Sequence, residues 1–304
     1  MLRFRWNAKT TEEMSVASLK AALSRGQIVL AAGVYDGLTA SLAAEAGFEA
    51  LYLSGASLAY TRLGRPDIGL VTMSEVVDTL SLIRDRVATP LIVDADTGYG
   101  NALNAQRTVR LLERAGANAI QLEDQTFPKR CGHLGDKTVI ATAEMVGKIK
   151  AATDARASAE TLIIARTDAA AVEGLRAAIA RGRAYREAGA DVLFVEAPRS
   201  EDDLAAIARA FPEGPPLMAN MVEGGRTPIL GRDKLQALGF SLVIFPGGIV
   251  RAIAKTARAF YEVLARDGVT DAFRDRMFDF DALNAVIGAP DMLTLGRRYE
   301  GETR

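Results

Sequence analysis

Short apolar runs alternate with longer amphipathic stretches from about residue 15 to about residue 265. Most of the short runs are continuously apolar, which is typical of parallel strands buried on both faces. We predict eight strands, at residues 28–32, 50–53, 91–94, 119–123, 161–165, 192–196, 217–220 and 242–245. Helical stretches lie between them, among them 102–115, 141–152, 174–188 and 200–210. The chain therefore consists of strand–helix units in series.

Three of the predicted helices end in the same way. Gly47, Gly116 and Gly189 each follow an alanine at the end of a helical stretch and stand shortly before the next strand. Glycine adopts the left-handed conformation that closes a helix, so this spacing is typical of helix-to-strand loops. Eight such units predict an α/β fold, a (β/α)8 TIM barrel, with an open doubly wound sheet as the alternative. We expect one domain over residues 1–304, with an N-terminal extension over 1–14 and oligomerisation helices over about 270–304.

The composition limits the class of protein to which this chain can belong. Hydrophobic residues make up 49% of the chain, enough for a large core, and 37 basic residues balance 38 acidic ones. This balance gives no indication of nucleic acid or a membrane surface as a partner. A single cysteine excludes an intrachain disulfide framework and fits a reducing compartment, and no apolar run is long enough to span a bilayer. Because no long apolar stretch follows Met1, we expect no secretory signal and a cytoplasmic location.

The only cysteine and the only histidine are two positions apart, at Cys131 and His133. Lys129 and Arg130 precede them, and nearby cations favour a thiolate, so we expect a lowered pKa at this thiol. The segment follows the fourth predicted strand, and α/β enzymes hold their reactive residues at such strand ends. A lone cysteine is also a common small core residue. The polar residues on both sides of Cys131 favour a reactive loop over a core position.

Polar residues also follow the other predicted strands. Asp94 and Asp96 end the third strand, two apart on one face, and suit a hard divalent cation that keeps several waters. Buried carboxylates are costly unless they are paired or bind a metal, and an arginine binds a carboxylate through two hydrogen bonds. Taken singly, each residue also fits a surface turn, a buried ion pair or a helix cap. Together they predict a metal site beside a carboxylate site, formed by Ser54, Gly55, Ala56, Asp94, Asp96, Glu123, Arg166, Glu196 and Asn220.

Five motifs, in order along nearly the whole chain, resemble one family. They are Tyr52-Leu53-Ser54-Gly55, Leu63-Gly64-Arg65-Pro66-Asp67-Ile68-Gly69, Asp94-Ala95-Asp96-Thr97-Gly98-Tyr99-Gly100, Lys129-Arg130-Cys131-Gly132-His133 and Ala165-Arg166-Thr167-Asp168. On these motifs the chain resembles the isocitrate lyase and phosphoenolpyruvate mutase superfamily. The resemblance implies a (β/α)8 barrel whose C-terminal helix is swapped between the subunits of a dimer, with two such dimers forming a homotetramer.

The resemblance also implies a role for each residue. Asp94 and Asp96 would bind Mg2+, or Mn2+ in its place, with Asp67 and Glu123 in the outer shell. Cys131 would be the catalytic acid/base on a mobile lid, assisted by His133, Arg166 and Glu123. The substrate would be a small carboxylate, held by Tyr52, Ser54, Gly55, Ala56, Arg166, Glu196 and Asn220. Arg251 matches an arginine of methylisocitrate lyases and would hold a third carboxylate.

By the same resemblance, the Cys-Gly-His motif of the lid places the chain in one branch of this superfamily. Carbon–carbon lyases carry it, whereas the mutases that make simple phosphonates generally lack it. The implied activity is Mg2+-dependent cleavage of a 2-hydroxy di- or tricarboxylate, such as 2,3-dimethylmalate or 2-methylisocitrate, to a 2-oxo acid and a carboxylate. Residues 220–228 depart from the Thr-Glu-Phe-Gly pattern of isocitrate lyases and look more like the dimethylmalate branch. The alternatives are a carboxyphosphonoenolpyruvate phosphonomutase, an oxaloacetate hydrolase and a non-catalytic metabolite-binding barrel.

Cleavage of this kind releases a carboxylate enolate, which needs a proton and stabilisation of its negative charge. We expect Cys131 to donate the proton from the lid. The charge would be stabilised by Lys129, Arg130 and His133. Gly132 and Gly135 would give the lid its freedom to move.

Overall fold

Eight parallel strands close into a barrel in the computed structural model, which describes residues 18–300. The strands are β1 Val29–Val34, β2 Ala50–Leu53, β3 Leu91–Asp94, β4 Ala119–Glu123, β5 Leu162–Thr167, β6 Val192–Val195, β7 Leu217–Asn220 and β8 Leu242–Phe245. Each strand pairs with the next in sequence, and β8 returns to β1 with Leu242 opposite Val29. The predicted (β/α)8 barrel is confirmed, and the open-sheet alternative is wrong.

Helices follow the strands in the expected alternation. They are α1 Leu19–Leu23, α2 Gly37–Glu45, α3 Gly55–Leu58, α4 Met73–Arg84, α5 Ala102–Ala115, α6 Thr142–Ala155, α7 Ala169–Val172, α8 Leu175–Glu187, α9 Glu201–Ala210, α10 Arg232–Leu238, α11 Gly248–Asp267, α12 Phe280–Val286 and α13 Ala289–Arg297. Gly47, Gly116 and Gly189 have φ values of 84°, 103° and 102°, as predicted for helix-closing glycines. The proposed N-terminal extension over 1–14 lies outside the described residues.

The strand bounds differ from prediction mainly at the carboxyl ends. β5 continues two residues beyond the predicted end, through Arg166 and Thr167, because these residues stay paired with Phe194 and Val195 of β6. β1 likewise runs on to Val34, whereas β6 stops one residue before the predicted Glu196. The polar residue Arg166 therefore lies within a strand, where backbone pairing fixes its position.

Two apolar layers hold the barrel and leave one end polar. Side chains such as Ile92, Ile164 and Phe194 fill the interior, and Leu19 and Leu23 of α1 belong to the same cluster. A second cluster packs the outer faces of the strands against the helices. Burial of these apolar surfaces is the main stabilising contribution. The carboxyl ends of the strands are the end at which polar residues collect.

The C-terminal helices make few contacts with their own barrel. α11 is 20 residues long, yet Val250 is its single buried residue, and α12 and α13 have none. Large apolar side chains on this region are exposed, including Phe280 at 83% and Leu293 at 64%. No helix among residues 18–300 is both long enough and apolar enough to cross a bilayer.

Candidate active site

One pocket opens at the carboxyl ends of the barrel strands. Its walls come from the ends of β2, β3, β5, β7 and β8, from the first turn of α11, and from a loop that follows β4. Of the residues singled out in the sequence, the pocket brings together Tyr52, Ser54, Ala56, Asp67, Asp94, Lys129, Arg130, Cys131, Gly132, His133, Arg166, Asn220, Val222 and Arg251. The remaining predicted residues, Gly55, Asp96, Glu123 and Glu196, lie behind this lining and contact it.

Asp94 and Asp96 converge beside Gly55. A Cβ added to Gly55 would lie 3.2 Å from Asp94 Oδ2 and 3.5 Å from Asp96 Oδ1, so both carboxylates face the same space. Asp94 ends β3, but Asp96 lies beyond the strand in the left-handed region, at φ 47°. The expectation that strand alternation aligns the two carboxylates is therefore wrong. The turn after β3 brings them together instead, and aspartate tolerates this conformation.

The orientation of Asp94 is fixed from inside the barrel. The Tyr52 hydroxyl donates to Gln121 Oε1 at 2.9 Å, and Gln121 Nε2 donates to Asp94 Oδ1 at 3.2 Å. Burial, with Asp94 adding to it, raises the pKa of Tyr52 well above its usual value. The phenol therefore remains a hydrogen-bond donor.

The carboxylates around this space fit a divalent cation. Asp96 is 5% exposed, and its burial raises the pKa of the carboxyl to about 7. Glu123 Oε1 is buried and accepts no hydrogen bond. Among the described residues, no group of three or more His, Cys, Asp or Glu side chains could hold an ion. This donor set suits Mg2+, which is commonly held by one or two carboxylates and keeps several waters.

Arg166 lies in a dense set of carboxylates. Its Nε and Nη2 donate to the two oxygens of Asp168 at 2.9 and 3.0 Å, and its Nη1 is 3.2 Å from Glu123 Oε2. Its guanidinium also packs over the Phe194 ring, 5.4 Å from the centroid. These contacts hold the guanidinium in one position at the pocket wall, where an arginine can form paired hydrogen bonds to a carboxylate ligand.

The loop after β4 covers the pocket as a lid, residues 127–137. A short antiparallel bridge between Gln125 and Val139 closes its base. The Gln125 side chain exchanges two hydrogen bonds with the Arg130 backbone, at 2.8 and 3.0 Å. The Lys129 ammonium lies between Asp67 Oδ1 at 2.5 Å and Asp96 Oδ1 at 2.7 Å. The lid is thus tied directly to one carboxylate of the candidate metal site.

Gly132 in the lid meets a packing constraint that was not predicted from the sequence. A Cβ on Gly132 would lie 2.5 Å from Arg166 Nη2 and 2.7 Å from Glu196 Cδ, closer than real contacts allow. Gly132 is therefore required for close approach of the lid to the barrel, and its φ is not positive. A Cβ on Gly135 would meet nothing within 4 Å. The structure thus shows a packing requirement at Gly132, and a role of the two glycines in lid movement stays a prediction.

The Cys131 thiol is held in its protonated form. Burial raises its pKa, and the carboxylates of Asp67 and Glu196 add to the rise, while a hydrogen bond with the His133 backbone and the charge of Arg166 oppose it. The expected lowering was wrong, because the adjacent cations turn away: Lys129 pairs with Asp67 and Asp96, and Arg130 contacts Asp136 at 3.5 Å. A protonated thiol suits donation of a proton rather than nucleophilic attack.

His133 has a defined tautomer. Its Nδ1 accepts a hydrogen bond from the Arg226 backbone N–H at 3.1 Å, so the neutral ring carries its proton on Nε2. Nε2 lies 3.2 Å from Glu196 Oε1, and Asn220 Nδ2 donates to Glu196 Oε2 at 3.1 Å. Burial lowers the pKa of His133. The imidazole is therefore neutral, and its Nε2 lies close to Glu196 without making a hydrogen bond to it.

The segment after β2 forms the floor of the pocket. Ser54 caps α3, and its hydroxyl accepts a hydrogen bond from Ser57 N at 3.2 Å. The Gly55 N–H is 3.4 Å from Asp94 Oδ2, while Ala56 faces the pocket. Gly55 thus contacts the candidate metal carboxylate, and the site for a substrate carboxylate at Ser54 and Ala56 stays a prediction.

Arg251 lies at the pocket mouth and is already paired. Its Nη2 contacts Glu223 Oε2, and the two side chains are 42% and 50% exposed. Glu223 stands on the loop after β7, and its pairing with Arg251 was not predicted. The guanidinium is thus neutralised by the chain itself.

Two residues of the site were not identified from the sequence. Lys137 belongs to the predicted polar loop, yet its side chain is 1% exposed and forms an ion pair with Asp168. Gln121 was read as part of an apolar strand, yet it links Tyr52 to Asp94. A glutamine within an otherwise apolar strand was the one signal that could have indicated a buried polar contact.

Known proteins share both the sequence and this architecture. The family described as phosphoenolpyruvate phosphomutase matches residues 19–265. The chain is 40% identical to 2,3-dimethylmalate lyase of Eubacterium barkeri over 94% of this chain and 98% of that protein. It is 45% identical to 2-methylisocitrate lyase of Aeropyrum pernix over 90% of this chain and 87% of that protein.

Solved structures show the same likeness. A crystal structure of 2,3-dimethylmalate lyase superposes with a TM-score of 0.89 at 35% identity, covering 95% of this chain and 96% of that one. Phosphonopyruvate hydrolase in complex with oxalate and Mg2+ superposes with a TM-score of 0.84 at 33% identity, covering 93% and 98%.

Proposed function

This chain belongs to the phosphoenolpyruvate mutase/isocitrate lyase superfamily, and on that premise we propose that it is a Mg2+-dependent carbon–carbon lyase. The reaction cleaves a 2-hydroxy di- or tricarboxylate to a 2-oxo acid and a carboxylate. Relatives named as lyases of 2,3-dimethylmalate and 2-methylisocitrate support this reaction type.

One observation carries the proposal: a protonated thiol, a buried arginine and a pair of convergent carboxylates border one pocket. Asp94, Cys131 and Arg166 all line it, and Asp96 lies directly behind. Cleavage of a C–C bond next to a hydroxyl-bearing carbon needs a base that takes the hydroxyl proton, stabilisation of negative charge, and a proton for the other fragment. The carboxylates, the arginine and the thiol of this site are groups of these three kinds.

Asp94 and Asp96 are the residues that would hold Mg2+, with Glu123 and Asp67 acting through water. When bound, the ion supplies Lewis-acid stabilisation of negative charge on the hydroxyl and carboxylate oxygens of the substrate. A relative whose structure contains oxalate and Mg2+ supports this choice of ion. Gln121 and Gly55 keep Asp94 oriented for this purpose.

Arg166 would bind the carboxylate of the fragment that leaves as a 2-oxo acid. Asp168 holds the guanidinium by two hydrogen bonds, so the arginine is positioned before substrate arrives. Ser54 and Ala56 bring small side chains to the pocket, and Gly55 behind them has none, which leaves room for the same carboxylate. Tyr52 would contact this fragment.

Cys131 would donate the proton to the other fragment. Bond cleavage leaves an electron pair on a carbon next to a carboxylate, and a thiol with a raised pKa keeps its proton until such a base forms. The neutral His133 and its partner Glu196 hold the lid around the thiol. Asn220 holds Glu196 in turn. The closed lid excludes water that would compete for the enolate.

Within this activity, the substrate we favour is a substituted malate rather than a tricarboxylate. Glu223 already supplies a carboxylate to Arg251, so a third substrate carboxylate would have to displace it. The lining of the same pocket contains Val222, Ile244 and Pro246, which suit alkyl substituents. The identity to 2,3-dimethylmalate lyase is consistent with this preference.

Assembly as a helix-swapped homotetramer, with one barrel domain and oligomerisation helices over about 270–304, is part of the proposal. α12 and α13 bury no residue against their own barrel, and Phe278 and Phe280 are exposed at 57% and 83%. Exposed apolar surface of this kind marks an interaction site in soluble proteins. A cytoplasmic location, which a single free cysteine fits, also belongs to the proposal.

The test is a panel of candidate substrates with the purified protein and Mg2+. The panel contains substituted malates, citramalate, 2-methylisocitrate and isocitrate, and a coupled reductase reports release of a 2-oxo acid. We expect turnover of a substituted malate that a chelator abolishes. Release of 2-oxo acid only from tricarboxylates would contradict the substrate preference, and silence across the panel would contradict the lyase.

A further inference from the structure

Lys137 is a buried lysine within the lid that makes two short contacts. Its side chain is 1% exposed, and its ammonium donates to the Gly132 carbonyl at 2.5 Å and to Asp168 Oδ1 at 2.6 Å. Gly132 stands between Cys131 and His133. The lysine therefore holds the backbone at the point that places both side chains.

The carboxylate that receives Lys137 belongs to the barrel and not to the lid. Asp168 follows β5, and its two oxygens accept from Arg166 at 2.9 and 3.0 Å. Its backbone N–H donates to Asp124 Oδ1 at 2.8 Å, which anchors it below the pocket. Asp168 is thus a fixed point of the barrel. Within residues 18–300, Lys137 joins it to the lid and Arg166 joins it to the pocket.

The buried charge of Lys137 requires a partner. A buried ammonium is costly unless it is paired, and here Asp168 is its carboxylate partner. Lys137 lies just inside the point where Gln125 and Val139 close the base of the lid, whereas Gly132 lies at the pocket. Because Lys137 joins the covering part of the lid to Asp168, loss of the pair weakens the contact between the lid and the barrel.

We propose that Lys137 is a positioning residue: it fastens the Gly132 backbone to Asp168 and so holds the Cys131 lid closed over the Arg166 site. Lys137 touches no reacting atom in this arrangement and acts through Cys131 and His133. The proposal uses the proposed lyase only for the role of Cys131. The contact itself can be tested without any turnover.

The test is alkylation of Cys131 by iodoacetamide, followed by mass spectrometry of the intact protein. Because the chain has one cysteine, each added mass reports this thiol alone. We expect Lys137→Gln to accelerate alkylation about tenfold or more, the change that loss of one charge-assisted hydrogen bond produces in a closing equilibrium. Lys137→Arg keeps the charge and should restore most of the protection.

Arg156→Gln is the matched control. Arg156 also binds one backbone carbonyl, that of Thr161 at 2.9 Å, and one carboxylate, that of Asp191 at 2.5 Å. These contacts precede β5 and β6, at the opposite end of the barrel. The control should lower the melting temperature in a similar way while leaving the alkylation rate of Cys131 unchanged.

The outcomes separate positioning from bulk stability. With the preferred substrate, Lys137→Gln should lower kcat about tenfold with KM nearly unchanged, because Arg166 and Asp94 remain in place. Asp168→Asn weakens the same contact from the barrel side, and should expose Cys131 even where the lysine variant folds poorly. A folded Lys137→Gln or Asp168→Asn protein that alkylates at the wild-type rate would overturn the proposal. Absence of turnover in the wild-type protein, together with faster alkylation of the variants, would count against the lyase but not against the lid contact.

Discussion

Replacement of Gly132 by alanine is the perturbation whose consequence follows most directly from the geometry. The added methyl group would lie 2.5 Å from Arg166 Nη2 and 2.7 Å from Glu196 Cδ. Neither neighbour can move freely, since Asp168 holds Arg166 and Asn220 holds Glu196. The lid must shift instead, and Cys131 shifts with it.

The magnitude follows from the cost of overpacking. Forcing a methyl group into a well-packed site typically costs about 1–3 kcal/mol. Since the alanine lies in the lid, this cost falls on the closed arrangement. At about 1.4 kcal/mol per factor of ten, the closed fraction and kcat should fall roughly 5- to 150-fold. Binding of Mg2+ should remain, because Asp94 and Asp96 are not displaced.

The assay measures the initial rate of 2-oxo acid release at saturating substrate, with Mg2+ affinity determined by calorimetry. Gly135→Ala is the matched control in the same lid, because its Cβ would meet nothing within 4 Å. It should retain activity within about twofold, the range of a neutral surface change. Equal loss in both variants would refute the packing argument and restore glycine flexibility as the explanation.

Three further predictions address the chemistry. Cys131→Ser should reduce turnover by orders of magnitude and leave Mg2+ binding nearly intact, as judged by kcat and calorimetry; a near-normal rate would remove Cys131 from the reaction. Because burial raises the pKa of Cys131 and lowers that of His133, the thiol stays protonated and the imidazole neutral across the ordinary range. The kcat plateau of a pH–rate profile should therefore extend above about pH 8.5 on the alkaline side; an alkaline decline centred below the ordinary thiol pKa would contradict this. Glu223→Gln should free Arg251 and raise the kcat/KM ratio of 2-methylisocitrate over 2,3-dimethylmalate about tenfold, and an unchanged ratio would show that this pair does not select the substrate.

The barrel could be predicted from the sequence because its signals are local. Continuous apolar runs and closing glycines such as Gly116 depend on neighbours a few residues away, and the strand bounds at 50–53, 91–94 and 119–123 were correct. The extra length of β5 could not be predicted in this way. Arg166 and Thr167 are polar, and their strand geometry comes from pairing with β6.

The sequence was sufficient to predict which residues form the site. It was not sufficient to predict how their charges are paired. The sequence places two cations beside Cys131, but the pKa of its thiol depends on where those cations point and how deeply it is buried. Lys137 shows the same limit. Its partner, Asp168, stands 31 positions later, and only the closed barrel brings the two together.

The most direct test of the lyase is to run the reaction of the preferred substituted malate in D2O and follow it by NMR. The mechanism predicts equal amounts of a 2-oxo acid and a carboxylate, with one deuterium added at the carbon that received the proton, and no product in the presence of chelator. Loss of substrate without this pair of products, or a carboxylate product without added deuterium, would contradict C–C cleavage followed by proton donation.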